Sequence, residues 1–474
     1  MSRIRYVKGK IFKRTEGMHQ LYAGENIVFN SGAEIAESGV EKGVSFNMPK
    51  DPLPQEIVTK CMVQFRPHGN WVGEYGFDWF RGGDSGLNTD PNWFGKIVGK
   101  HFTDQSYTNV FPDTNSWSVY FKQNWKMYDR ILRSYRNYSI PWKEKIRGNT
   151  YLYPVPILTM LEGEKHTFTL KIEIEELPKT LKIRQRKLNQ QGEDYFSFNK
   201  NDIPIKKGKY SLENFLVITC KKSFKNDQTI EIVADNNKIC GWLTIKANHV
   251  STHRHIPIVV IPVKTKINTT VIGNMVPGAV NFFKQGLKQA YVFPSKNNIE
   301  YLPDKFLDLT SNNLFGLLDN EFKKEYCNAT GVARSSGLIS KKPMLKFLDE
   351  ELEKKYPGKY TNHYKLYFIG IPFNITKNGM QFIIQGFSNF RTLHGVYFKG
   401  HDRSTVIHET LHAMGLPHTF DGISPEAIYT YKAQQTDNYM DYCHWNVDIQ
   451  GNPRKAVEGR TLFYWQMKAL NPKF

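Results

Sequence analysis

His408-Glu409-Thr410-Leu411-His412-Ala413-Met414-Gly415-Leu416-Pro417-His418 is the stretch on which the reading of this chain turns. Its pattern is HExxHxxGxxH. On a helix, residues four apart lie on one face, one turn from each other. His408 and His412 can therefore take two corners of a zinc tetrahedron. Glu409 follows the first histidine directly and stands beside the metal's water rather than on the metal, which suits a general base. Gly415 permits the left-handed backbone that ends a helix, and Pro417 bars the helix from resuming. His418 is thereby turned back as a third ligand. Three protein ligands leave one position open, the mark of a catalytic rather than a structural zinc site. Asp402 or Ser404 is the expected N-cap, and Val406, Ile407, Leu411 and Met414 supply an apolar side for packing. HExxH alone arises by accident on solvated helices; the glycine and third histidine at fixed offsets make accident improbable.

Downstream, Asp437-Asn438-Tyr439-Met440-Asp441-Tyr442 supplies a methionine turn. HExxHxxGxxH followed by such a turn resembles the metzincin zinc peptidases. The runs His418-Thr419-Phe420 and Asn438-Tyr439-Met440-Asp441-Tyr442 are most similar to the pappalysin branch. The resemblance covers roughly the last 200 residues, with only the two motifs sharp. It implies that Met440 lies beneath the histidines without binding zinc. It also implies that Tyr442 either steadies a tetrahedral intermediate or is a plain packing tyrosine. The implied fold is a domain split by a cleft. A twisted sheet and the zinc helix lie above; the methionine turn and a last helix, at Leu462 to Leu470, lie below. An edge strand, expected at Val396 to Phe398, would pair with extended substrate backbone. His394, His401 and His444 are expected at the surface or behind the ligands. Cys327 and Cys443 are each conceivable as a zinc-blocking thiolate, with a buried inert thiol the better reading.

Working outward, residues 267–474 read as one α/β unit. Val276, Ala279, Val280, Phe283, Leu287 and Ala290 mark an amphipathic helix. Met344, Leu348, Leu352 and Lys355 mark another, stopped by Pro357-Gly358. Leu366 to Ile371, Phe382 to Ile384 and Val396 to Phe398 read as strands. Residues 156–266 alternate: Phe168, Leu170, Ile172 and Ile174 point one way, Thr169, Lys171, Glu173 and Glu175 the other. Leu216-Val217-Ile218, Ile230-Glu231-Ile232 and Trp242 to Ile245 continue at short intervals. That spacing predicts an immunoglobulin-like β-sandwich. His253 and His255 share a strand face there but lack a third ligand nearby. Residues 1–155 are rich in glycine and aromatics, with turns at Arg81 to Asp84 and Asp90-Pro91-Asn92, and with helical spacing from Lys122 to Tyr138. The expected fold class is multidomain: a β-rich N-terminal carrier domain (1–155), an immunoglobulin-like sandwich (156–266) and a metzincin-type α/β catalytic domain (267–474).

The chain has 474 residues, 40% of them hydrophobic and 14% aromatic, which excludes a disordered composition. The net charge of +19 is spread along the length as solvated lysine. The densest basic run, Lys179 to Lys187, lacks the interleaved aromatics of a single-strand binder, so no nucleic-acid partner is expected. Cys61, Cys220, Cys240, Cys327 and Cys443 form no CxxC pair and predict buried thiols, although Cys220 and Cys240 could meet across a sandwich. Met1 to Arg14 lacks an apolar h-region, so no Sec signal is expected, and no run of ~18 apolar residues predicts a membrane span.

Gly24 to Asn30, Gly43 to Phe46 and Trp71 to Trp79 resemble modular bacterial effectors exported by type VI-like routes. That resemblance implies a delivered toxin, with export-machinery components bound through the N-terminal domain; otherwise the chain is cytoplasmic. The expected function is a zinc-dependent endopeptidase with one catalytic ion, a protein or peptide substrate, His408, His412 and His418 as ligands and Glu409 as base. Two alternatives stand beside it: a secretion-linked binding or adhesion protein with a vestigial zinc domain, and a zinc amidase acting on cell-wall peptide.

Overall fold

Alternating apolar side chains in Phe168 to Ile174 suit a strand with one face on a core. In the computed structural model Lys165–Ile174 is an inner strand, paired antiparallel with Cys61–Pro67 on one side and Gly208–Cys220 on the other. Phe196–Phe198 completes this four-stranded sheet. A five-stranded sheet runs Phe77–Asp78, Ile157–Leu158, Lys238–Ile245, Gln228–Ala234, Leu181–Gln185. Both contribute to one apolar core, including Phe65, Phe168, Ile172, Ile218, Ile232 and Leu243. The sheets approach so closely at Gly241 that a Cβ there would run into the carbonyl oxygen of Val63; only glycine fits. The two sheets thus draw strands from both sides of position 155. Residues described are 60–84, 87, 93–102, 120–187, 193–235, 237–295, 298–310, 321–327, 342–377, 380–421, 427–445, 453 and 455–474. The expectations placed on Gly24 to Asn30, Gly43 to Phe46 and Asp90 to Asn92 lie outside them.

A third sheet carries the histidine region. Its order is Thr270–Ile272, Ile258–Lys266, Tyr364–Ile369, His394–Tyr397, Gly386–Ser388, with two short strands pairing beside Ile258–Lys266. The three inner strands are mutually parallel and the outermost, Gly386–Ser388, is antiparallel. Every residue of Tyr364–Ile369 is buried, as expected of a parallel strand covered on both faces. Helices Ala279–Lys288 and Arg403–Ala413 cover one face through Phe283, Leu287, Ile407 and Leu411 against Val260, Leu366 and Phe368. Helix Met344–Lys355 covers the other through Leu345 and Leu348 against Ile261, Tyr367 and Ile369.

Overall the chain is β-rich, with several sheets and seven α-helices among the described residues. The helical spacing from Lys122 resolves into Trp125–Ser134, whose N-cap Asn124 accepts the Met127 N–H at 3.0 Å. The last helix is Tyr464–Leu470. One expectation is corrected: Val396 to Phe398 is not at the edge. His394–Tyr397 has hydrogen-bonded neighbours on both sides, and the edge belongs to Gly386–Ser388. The apolar run Val396-Tyr397-Phe398 reflects burial on both faces of the sheet, which does not tell an inner strand from a covered edge. All five cysteines are buried thiols, without a disulfide. No described helix is long and apolar enough to cross a membrane.

Residues 57–474 form one compact unit, and polar contacts bind its sheets together. The Tyr291 hydroxyl, fully buried, meets the Met160 N–H at 3.1 Å and the Lys246 carbonyl at 3.2 Å. Glu164 accepts hydrogen bonds from the Leu161 N–H at 2.7 Å, from His166 and from Lys288 of the first covering helix. Burial pushes its carboxyl up, but these donors outweigh it and hold the pKa down to about 2. A depressed carboxylate stabilises above its unfolded pKa and loses that contribution as pH falls through the folded value. Glu164→Gln is therefore expected to cost about 2 kcal/mol at pH 7, the group being partly solvated. The deficit should shrink below pH ~4.5 and vanish near pH ~2. Urea titrations at several pH values measure it; a deficit independent of pH would refute this account.

Candidate metal centre

The helix Arg403–Ala413 begins where Asp402 can accept backbone donors. Its carboxylate takes the Thr405 N–H at 2.9 Å and the Ser404 hydroxyl at 2.7 Å, so Asp402, not Ser404, is the N-cap. The helix ends at Met414, and Gly415 follows with φ of +97°. This left-handed residue turns the chain, and His418 comes back over the helix. The Nε2 atoms of His408, His412 and His418 then stand 3.0 to 3.2 Å apart.

Two of these rings are oriented from behind. His408 Nδ1 lies 2.7 Å from the carbonyl oxygen of Tyr439, and His412 Nδ1 lies 2.7 Å from that of Leu416. A carbonyl only accepts, so each Nδ1 carries the hydrogen and each Nε2 presents a lone pair. Lone pairs this close repel unless a cation sits among them. Nitrogens so spaced would suit one metal ion shared among the three imidazoles. Burial first, and neighbouring histidine second, holds His408 and His418 well below the usual imidazole range; burial brings His412 down to about 4. Neutral imidazoles are the ligand form. The three histidines can therefore hold a metal ion, and they are the only such group of three or more among the described residues.

Glu409 shares the helix but makes a separate contact. The Ser388 hydroxyl, from the edge strand, reaches Glu409 Oε2 at 3.1 Å and the Glu409 carbonyl at 2.7 Å. Burial raises the carboxyl to about 7, against the lowering effect of Ser388. Such a group both accepts and returns a proton near neutrality.

The methionine turn is built from side-chain hydrogen bonds. Asn438 Oδ1 accepts the Met440 N–H at 2.9 Å, and its amide pairs with that of Gln466 on the last helix. Asp441 accepts the N–H groups of Gln434, Thr436 and Tyr442 at 2.6, 2.9 and 2.8 Å. Met440 is fully buried, and its carbonyl accepts the Thr419 N–H at 3.0 Å beside His418. Tyr442 packs against His418 and His408, with ring centroids 4.8 and 5.9 Å away, and stacks on Trp445. Burial, then the nearby Glu409 and Asp441 carboxylates, push its phenol well up. It stays protonated.

The remaining sequence candidates fall elsewhere. His394 bonds Asp349 at 2.8 Å and His401 bonds the Phe398 carbonyl at 2.7 Å, neither beside the triad. His444 is nearer, its ring 6.4 Å from that of His408. His253 bonds the Asn248 carbonyl at 3.0 Å, and its ring lies 6.3 Å from that of His255. Cys443 Sγ lies 3.9 Å from the Asn438 carbonyl oxygen, and Cys327 belongs to the core on the other side of the sheet. Ser388 and Gln466 are not singled out by the sequence, since nothing local marks a serine 21 residues before its glutamate. No protein-family model matches the chain, and no curated protein matches it either.

Proposed function

We propose that this chain is a zinc-dependent endopeptidase of the metzincin type. The observation that carries the reading is the convergence of three Nε2 atoms at 3.0 to 3.2 Å beside a buried carboxyl raised to about 7. The left-handed Gly415 and the hydrogen-bonded turn at the buried Met440 support it. Zinc held by these imidazoles would supply polarisation of the scissile carbonyl and a lowered pKa for water.

The chain's own residues do the rest. Gly386–Ser388, with one edge unpaired among the described strands, suits strand addition by an extended peptide. Glu409 takes a proton from the attacking water and returns it to the leaving amine, while the Ser388 hydroxyl holds its Oε2 in place. Tyr442, kept protonated, is the candidate donor to the developing oxyanion. An exported bacterial effector is the proposed setting, on the resemblance of Trp71 to Trp79.

The test is metal content together with hydrolysis. Purified full-length protein is expected to hold about one zinc per chain and to cleave casein in a chelator-sensitive way. His412→Ala should lose both. One zinc per chain with no hydrolysis of any protein would favour the vestigial binding reading. Hydrolysis of peptidoglycan peptide alone would favour the amidase.

A further inference from the structure

Away from the histidines, the outer face of the five-stranded sheet gathers three guanidinium groups around one carboxylate. Glu231, 2% exposed, lies 3.1 Å from Arg184 Nε and 3.6 Å from Arg186 Nε. The hairpin Asn137–Ile140/Tyr151–Pro154 brings a third arginine to this face. Tyr138 stacks on Trp242 at 3.8 Å, and the Arg136 guanidinium lies 5.1 Å from the Tyr138 ring. Arg136 Nη1 reaches only Thr229 Oγ1, at 3.4 Å.

The donors here outnumber the acceptors. Arg136 Nη2, Arg186 Nη1 and the Tyr138 hydroxyl are all buried without a hydrogen-bond partner, and Tyr138 as a whole is 3% exposed. Buried donors are almost always satisfied in native proteins, so a cluster of three asks for an acceptor. Burial first, and Arg186 after it, lowers the Arg136 pKa against the raising effects of Tyr138 and Glu231. Asp227 does not supply the balance, because Lys246 and the Ala247 N–H hold it at 2.8 and 2.9 Å. A cleft of about 190 Å³ opens beside Arg136, lined also by Ser134, Thr229, Thr244, Tyr464 and the Asp227 carboxylate that Lys246 neutralises.

We propose that the unsatisfied donors clustered beside this cleft, on Arg136, Arg186 and Tyr138, form a binding site for a small oxyanion, a phosphoryl or carboxylate group. Planar guanidinium forks suit such groups, which offer several acceptor oxygens to two or three donors at once. The site is remote in sequence from the histidine motif and owes nothing to the peptidase reading.

Calorimetric titration of the full chain with inorganic phosphate, and separately with acetate, tests the proposal at constant ionic strength. Saturable binding of at least one anion is expected. Arg136→Gln and Arg186→Gln should each weaken it about tenfold, and Tyr138→Phe, which keeps the stack on Trp242, several-fold. Lys182→Gln, removing an exposed cation from the same sheet, should leave it unchanged. Phosphate captured by a metal at the histidines would be indifferent to Arg136, so the two sites are distinguished. Phosphate binding alone assigns a phosphoryl ligand; comparable acetate binding assigns a carboxylate. No saturable binding of either anion, or equal losses in Arg136→Gln and Lys182→Gln, overturns the proposal.

Discussion

Glu409→Ala is expected to keep about one metal ion per chain while losing peptide hydrolysis by a factor of ~10³ or more, since general acid–base catalysis by a placed side chain contributes ~10²–10⁴. The argument rests on separation of roles. The three Nε2 atoms converge without help from Glu409, whose carboxylate is held instead by Ser388 at 3.1 Å. Removing it takes away the proton carrier and leaves the ligands. It also removes a buried ionisable group whose burial already raises its pKa to about 7, so the variant should fold at least as well as the parent. Glu409→Gln separates charge from shape and should be nearly as inactive. Elemental analysis and a fluorogenic peptide assay on the same preparations give both readouts. A variant that cleaves at the parental rate defeats the proposed chemistry, and one that loses its metal defeats the separation of roles.

The geometry of the histidine helix is legible because its information is local. Helical spacing fixes His408 against His412, and Gly415 with Pro417 dictates the turn that returns His418. The alternation in Phe168 to Ile174 likewise declared a strand, and the spacings around Phe283 and Leu348 declared helices. What sequence could not give was pairing across distance. Val396 and Phe398 read as a strand but carried no mark of having neighbours on both sides, so the edge was placed one strand too far in. Ser388, which reaches Glu409, and Gln466, which pairs with Asn438, are polar residues whose meaning appears only when the sheet edge and last helix arrive beside them. The boundary near residue 155 was drawn on texture, and texture does not record that Cys61–Pro67 pairs along its length with Lys165–Ile174.

That long-range coupling leads to the second large effect, expected at Arg81. Its guanidinium is 1% exposed, 2.5 Å from Asp78 and 3.7 Å from Asp437, and lies 3.6 Å from the Trp79 ring centroid. Asp78 is itself fully buried and accepts the Tyr464 N–H at 2.7 Å and the Tyr135 hydroxyl. Asp437 opens the methionine turn, and Arg460 meets its other oxygen at 3.2 Å. One buried cation therefore ties the segment after Trp71 to the turn whose Tyr439 carbonyl meets His408. Arg81→Met keeps much of the volume but strands Asp78 without its counter-ion, and breaking a buried pair from one side costs ~3–5 kcal/mol. Because Asp437 anchors the turn whose Tyr439 carbonyl orients His408, zinc affinity should fall as well, by ~10–100-fold, as when a group supporting a ligand is lost. Arg81→Met combined with Asp78→Asn removes the stranded charge and should recover part of the stability but less of the affinity, since Asp437 still lacks Arg81 and keeps only Arg460 of the two arginines. Urea unfolding and zinc competition against a chromophoric chelator measure the two separately. A loss below ~1 kcal/mol would mean that solvent or neighbouring donors already satisfy the two aspartates without the arginine.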